Sequence, residues 1–463
     1  MGYRILRSST FSTDPFFGRK FILKGIDMTI RRGLLVILAL LWVTVAAVVV
    51  AQDAVTISFS SWDTGVGGER NQNIINQFME ETGVNVTVEV QQGAEDPAIL
   101  VRMAAGTAPD VIQSGEFNLK RRALASEGGF LDLTPLIEAD EGFDPFTEYF
   151  PEVFNVGVID GGVYAFNKDF ATVAFYVNTD MFEAAGIPIP EEGWTYDDLV
   201  EIAQELTLDA NGNNATSPAF DSSNIVQYGW WHPDSWVRGW QAIPYSYGAT
   251  LLSDDGLTAT GYLNTEAVVQ AMELYRDSVH TWHISPSIAS IQAQPGVDLF
   301  ASGQAAIRGP FGPWSLTEYS ENPDLNFAIV PMPAGPKGRF SVICWAGFAV
   351  NRNTPHPQES YELVKYFATV GQNTFVEHAL SANVAISDAS GKADDPLWGQ
   401  FVREISNLHP LDDLKTANWV ECINTPVSNL LGAIQSEGGD ALDIQAELDA
   451  IAAKADTCLD QPY

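Results

Sequence analysis

Between Val55 and Ile112 the apolar residues change their spacing repeatedly, and this rhythm constrains the fold more than any other feature. Val55, Ile57 and Phe59 alternate as in a half-buried strand, and Ile74, Ile75, Phe78 and Met79 then recur at helical spacing up to Gly83. Val84, Val86, Val88 and Val90 alternate again. A short helix is expected around Ile99 to Ala105, ending at Gly106, and Pro109-Asp110 turns the chain into a strand at Val111-Ile112. Strands alternating with helices predict an α/β fold whose sheet is mostly parallel and covered on both faces.

The rhythm returns after Gly161-Gly162, a turn signal, with an apolar strand near Thr172 to Val177. Thr195 caps a helix in which Asp198 completes a capping box and Leu199, Ile202 and Leu206 share one face. Beyond the polar loop from Asn211 to Asp221, a helix from about Thr265 to Ser278 is expected to bury Val268, Val269, Met272 and Tyr275. A strand pattern runs from Phe340 to Val350, and Pro357 to Val370 forms an amphipathic helix through Tyr361, Val364 and Phe367. At 463 residues the chain is too long for one compact core and suits two lobes.

Residues 1–27 show no periodic pattern, whereas Met28 opens a better start. Arg31 and Arg32 precede an apolar stretch from Leu34 to Val50, and Val49-Val50-Ala51 offers a small-residue cleavage site. Residues 1–51 therefore read as a leader containing a secretory signal peptide; an uncleaved membrane anchor is the alternative, because the apolar run is nearly long enough to span. No cysteine lies near Ala51 to carry a lipid anchor. The formal net charge is −35, and the leader holds seven of the basic residues against two acidic ones, so the remainder is more acidic still. Such a surface repels nucleic acid and anionic lipid, which excludes both as partners. Of three cysteines, Cys344 lies in an apolar run and reads as a buried thiol, while Cys422 and Cys458 could pair in an oxidising compartment.

Twelve tryptophans are present, and Trp230, Trp231, Trp236 and Trp240 crowd together with Tyr228, Tyr245 and Tyr247 nearby. Flat rings pack on the C–H faces of pyranoses while carboxylates and amides bond the hydroxyls at the ring edge, so a sugar site needs both residue types. The run Trp231-His232-Pro233-Asp234-Ser235-Trp236 supplies both; the competing reading is that most of these rings are core. Trp419 reads as core or as a late stacking residue.

Other motifs are weaker. Gly65-Val66-Gly67-Gly68-Glu69-Arg70 misses the third glycine of a dinucleotide fingerprint and reads as a turn into a helix N-terminus. Asp209-Ala210-Asn211-Gly212-Asn213 departs from a calcium loop at two positions and reads as an Asx-rich turn. His280 and His283 have no Cys, Asp or Glu cluster to complete a metal site. No nucleophile signature occurs, so no catalytic residue, metal ligand or cofactor is expected.

Several short strings, in their order, carry a resemblance. "AAGTAPDVI" runs from Ala104 to Ile112, and "YVNTDMFEAAGI" from Tyr176 leads into "WTYDDLVEIAQEL" at Trp194 to Leu206. "FASGQAAIRGPFGPW" follows at Phe300 to Trp314, and "PMPAGP…WAGFAVNRNTPHPQESYELVKYFAT" lies between Pro331 and Thr369. Together they resemble the family 1, maltose-binding-protein-like extracellular solute-binding proteins of carbohydrate ABC importers.

The resemblance implies a two-lobe periplasmic-binding-protein fold, type II-like, with a hinge of several crossover segments. It places lobe 1 at 52–170 and 338–385, lobe 2 at 171–337, and C-terminal helices at 386–463, mainly on lobe 2. It implies a monomer outside the membrane that captures a sugar, of oligosaccharide size, by lobe closure and delivers it to permease subunits. A polyamine, peptide or other cation on the same fold, or an exported glycosidase, are the alternatives. By position in the family's loops, Trp62, Asp63, Glu116, Arg308, Phe311, Trp314 and Trp345 are implied at the ligand, joined by Trp231, Asp234 and Trp236 from the aromatic cluster. Trp345-Ala346 stands where the family usually carries glycines.

Overall fold

The computed structural model describes residues 54–93, 97–124, 129–232 and 236–461; the 1–51 leader and Asp234 lie outside the described residues. The strands that build the two main sheets are β1 (Thr56–Ser61), β2 (Asn85–Val90), β3 (Val111–Gly115), β4 (Ala165–Thr172), β5 (Ala174–Asn178), β6 (Leu208–Asp209), β7 (Ile225–Trp231), β8 (Ala305–Phe311), β9 (Phe327–Val330) and β10 (Ile343–Val350). The first sheet has the order β2-β1-β3-β10-β4 and the second β9-β5-β8-β7-β6.

The opening strand–helix rhythm is present. β1 runs parallel to β2, with Ile57 opposite Val86, and parallel to β3, with Phe59 opposite Val111. Between β1 and β2 the helix Gly65–Thr82 buries Ile74, Ile75 and Phe78. It stops at Gly83, whose φ of 75° is a left-handed conformation that glycine adopts without steric cost. The helix Pro357–Ala368 buries Tyr361, Val364 and Phe367, and Phe367 packs on Phe59 and Phe348 to form the centre of this lobe.

In each sheet most strands run the same way, and the exceptions make both sheets mixed. β10 is antiparallel to β3 and β4, and β5 is antiparallel to β8 and β9. Local periodicity detects βα units but not the direction of a strand that arrives from elsewhere. β5 and β10 each enter their sheet from the other lobe, so they start at the lobe boundary and run away from it. β1, β3, β7 and β8 run towards it.

The apolar stretch read as one strand near Thr172 to Val177 is likewise two. β4 ends in the first sheet, Val173 crosses, and β5 begins in the second. Val173 N–H donates to Ser341 Oγ (3.1 Å), and the Ser341 hydroxyl donates to the Val173 carbonyl (2.9 Å). Ser341 N–H donates to Asn407 O (2.9 Å) and Thr172 Oγ1 donates to Phe401 O (2.7 Å), so three passages of the chain are tied together.

In the second lobe the Thr195–Asp198 capping box is formed, and Leu199 and Leu206 of the helix Tyr196–Leu206 are buried while Ile202 is half-buried. The helix Glu266–His280 buries Val268, Met272 and Tyr275, with Val269 half-buried, and the C-terminal helices Thr425–Ile434 and Ile444–Leu459 pack against it. Cys422 and Cys458 are bridged, with Cα atoms 5.6 Å apart. Trp230, Trp240 and Trp419 are all core, and Trp240 stacks on Trp419. No helix among the described residues is long and apolar enough to cross a membrane.

Candidate ligand cleft

The carboxyl ends of β1, β3 and β4, the amino end of β10 and the segments after β7 and β8 converge on one cavity of about 640 Å³. Clefts at the carboxyl ends of α/β strands are where loops can vary without disturbing the sheets. Five rings line this one: Trp62, Phe170, Trp236, Trp314 and Trp345. Trp314 is 48% exposed, an unusual state for an indole in water, and meets Trp236 edge-on at 5.3 Å. Trp345 is almost fully buried and its ring lies over Gly347, where any Cβ would collide with it. Trp345 is thus held as part of the cavity wall.

Of the other candidates, Glu116 also lines the cavity. Asp63 does not line it; its carboxylate accepts from Asn71 Nδ2 (2.9 Å) and pairs with Lys168 (3.0 Å), a lining residue. Trp231, Arg308 and Phe311 form a stack outside the lining. The Arg308 guanidinium lies 4.4 Å from the Trp231 ring centre and 3.5 Å from that of Phe311, and pairs with Asp298 at 2.5 Å. Phe311 in turn touches Trp314 and Trp236, so the stack buttresses the cleft rings.

Sequence reasoning missed Lys168, Asp169, Arg238, Val66, Arg70 and His378, all of which line the cavity. Val66 and Arg70 were in view, because the glycine-rich stretch read as a turn into a helix N-terminus is itself the first turn of the helix Gly65–Thr82. Lys168 and Asp169 had a signal too: a Lys-Asp pair in a strand that is otherwise largely buried. Lys168 bonds Asp169 Oδ2 at 2.8 Å as well as Asp63. Burial pulls its ammonium down, but the carboxylates of Asp169 and Asp63 prevail and hold it above its ordinary value. Asp169 is thereby fixed while remaining partly open to the cavity. Nothing in local sequence marks Arg238, which sits within the helix Val237–Tyr247.

Cys344, expected to be buried, is half-buried and lines the cleft, because the β10 strand begins there at the sheet's open end. Its thiol is pushed well above the ordinary range, first by burial and then by Glu116, so it is not a thiolate at neutral pH.

The remaining motifs lie elsewhere. Asp209 caps an Asx turn, and the Asn213 side chain, followed by the N–H groups of Asn213, Asp221 and Asn211, donates to its carboxylate and holds its carboxyl below the usual range. His280 contacts the Ile434 carbonyl at 2.8 Å, and His283 falls past the helix end with a φ of 55°. Among the described residues no group of three His, Cys, Asp or Glu could hold a metal ion.

Two lobes joined by several chain passages, with an aromatic cleft at their strand ends, define a class of proteins that capture a small solute between lobes. Residues 62–374 match the bacterial extracellular solute-binding protein family, and the chain belongs to it.

Solved structures share the fold. An ABC substrate-binding protein of Listeria monocytogenes in complex with cycloalternan has a TM-score of 0.74 at 18% identity, covering 88% of this chain and 99% of that one. A solute-binding protein of Thermotoga lettingae bound with α-D-tagatose gives 0.71 at 16% identity, with coverage of 88% and 100%. The maltose/maltodextrin-binding domain of Bdellovibrio bacteriovorus bound to maltotriose gives 0.69 at 18%, with coverage of 87% and 99%. In sequence, a binding protein of Brucella abortus strain 2308 is 28% identical over 198 residues, 42% of this chain and 44% of that protein, so the match spans less than half its length.

Proposed function

We propose that this protein is the substrate-binding subunit of an ABC importer and captures a carbohydrate, of oligosaccharide size, between its lobes. The observation that carries this reading is the cleft lining: five aromatic rings beside carboxylates that are already paired with cations. Rings stack on sugar faces, and an oriented carboxylate such as Asp169 accepts from hydroxyls. Fold relatives solved with cycloalternan, tagatose and maltotriose support the same ligand class.

Trp62, Trp236, Trp314 and Trp345 are the platforms in this reading, and Asp169 replaces Asp63 as the carboxylate in contact with ligand. Trp231, Arg308 and Phe311 act by holding the platforms. Closure follows because groups from both lobes reach the sugar together only when the lobes are shut. The permease then takes the sugar from the shut form; the protein itself performs no turnover.

We place lobe 1 at 52–170 and 338–385, lobe 2 at 171–337, and assign 386–463 mainly to lobe 2. What supports crossings close to these bounds is that β4 and β5 flank Val173, just beyond the first bound, and that β9 and β10 belong to different sheets. Export by the 28–51 segment, with or without its cleavage, and a monomeric state complete the reading.

The polyamine alternative is disfavoured by the pairing of Glu116 and Asp169 with Arg238 and Lys168, since a cationic ligand needs carboxylates without a counter-charge. Thermal shift against saccharides, polyamines and peptides tests the proposal. A rise in Tm with at least one saccharide, recovered unchanged afterwards, is expected. A rise with polyamine or peptide alone overturns it, and recovery of cleaved saccharide makes the protein a glycosidase.

A further inference from the structure

Arg238 and Glu116 both line the cleft, yet both are bonded chiefly to protein groups. Arg238 Nε donates to Glu116 Oε1 at 2.7 Å, and Nη2 lies 2.7 Å from the same oxygen. Nη1 donates to Gln241 Oε1 (2.6 Å) and Asp413 Oδ1 (3.1 Å), and Nη2 to Asp413 Oδ2 (2.8 Å). Of the five N–H groups of a guanidinium, four donate to these protein oxygens and the fifth belongs to the Nη2 paired with Glu116. Glu116 Oε2 accepts from Trp345 N–H at 3.3 Å. The side chains of Arg238, Glu116 and Asp413 are 1%, 5% and 0% exposed.

The three charges come from different parts of the fold. Glu116 follows β3 of the first sheet, Arg238 belongs to a helix packed on β8 of the second, and Asp413 lies beyond the last passage of the chain between lobes. Two more contacts leave the helix Glu116–Leu124 for that last segment: Lys120 Nζ donates to the Lys415 carbonyl at 3.1 Å, and Arg121 pairs with Glu421. Charged groups from these separate segments thus meet along one side of the cleft.

We propose that the Arg238–Glu116 pair is a latch that holds the two lobes together along this edge when no solute is bound. Arg238 is a positioning residue: it fixes Glu116, and through it the backbone that carries Trp345. Breaking the pair would hydrate Glu116 and leave Arg238 with Asp413 and Gln241. Separating buried partners is costly because each charge loses its compensation before water can replace it. Lobe opening then takes place from a latched state instead of a freely swinging one. The idea goes beyond the transport reading, since it concerns the empty protein and does not depend on which solute enters.

Small-angle scattering of the purified ligand-free protein tests it. Wild type should scatter as this structure does. Glu116→Gln, which keeps shape but removes the charge, should enlarge the radius of gyration by about 1 Å, on a value near ~22 Å for a compact chain of this length. Arg238→Lys should do the same, because one ammonium cannot replace the guanidinium fork. Circular dichroism identifies any variant that has not folded, and Lys120→Gln with Arg121→Gln then probes the same edge from its outer side with a smaller enlargement expected. A wild type already expanded without ligand, or folded variants with the wild-type radius, overturns the latch. No sugar is present in the measurement, so its result is separate from the fate of the ligand assignment.

Discussion

Lys168 Nζ stands 3.0 Å from the Asp63 carboxylate, an ion pair that joins β4 to the loop after β1 at the wall of the cleft. Asp169 shares the same ammonium, so a single cation compensates two carboxylates. Lys168→Met should therefore lower stability by about 3 kcal/mol, the usual effect of leaving buried charge unpaired. It should also weaken solute binding by freeing Asp169. Urea denaturation followed by titration with the saccharide found by thermal shift checks both, and an unchanged midpoint would refute the structural part.

Trp314 is the most exposed of the cleft rings, so its removal should leave the fold intact while taking away a stacking surface. Trp314→Ala should weaken saccharide binding by about 1–2 kcal/mol, a 5- to 30-fold loss. Calorimetric titration reads the affinity and a melting curve the fold. Equal affinity with an unchanged Tm would remove Trp314 from the site.

His232 is buried edge-on against Trp230 and Tyr275, and neither ring nitrogen has a partner among the described residues. Burial pulls its pKa down to about 3 from an ordinary 6.5. Because the folded value is the lower one, the unfolded chain takes up the proton first. The stability due to the neutral ring is complete above pH 6.5 and is lost as the pH falls towards 3. Tm should drop with acidification across that window, and His232→Phe should flatten the drop. Parallel pH profiles for the two proteins would contradict this.

The Cys422–Cys458 bridge closes a loop with a sequence separation of 36. Loop-closure entropy of that length corresponds to about 3–4 kcal/mol. The Cys422→Ala/Cys458→Ala variant should melt at a lower temperature than wild type, and the reduced wild type should melt with it. A Tm that does not respond to reduction would show that packing of the two C-terminal helices suffices.

Local patterns were legible where one residue's neighbours in sequence are also its neighbours in space. The Gly83 stop, the Thr195 capping box and the apolar faces of the helices Gly65–Thr82 and Pro357–Ala368 all follow from spacing along the chain. Trp62 was within reach for a related reason, since it stands just after the strand that periodicity locates at Val55 to Phe59, whereas Trp236 came from the aromatic cluster and Trp314 and Trp345 from the resemblance. Trp231 and Arg308 stand at similar places, yet each turns to the other. Burial periodicity tells which face of an element is covered, not whether a ring or the gap between lobes covers it.

The sequence by itself determined the βα elements, their caps and the supply of rings near strand ends, because those depend on interactions within a few turns or a few strand residues. Only the tertiary structure decided that β5 and β10 run against their neighbours, that Lys168 joins Asp63 to Asp169, and that Arg238 reaches Glu116 and Asp413. Those contacts exist because the chain passes between its lobes several times, which brings together charges from distant segments whose pairing no local pattern records.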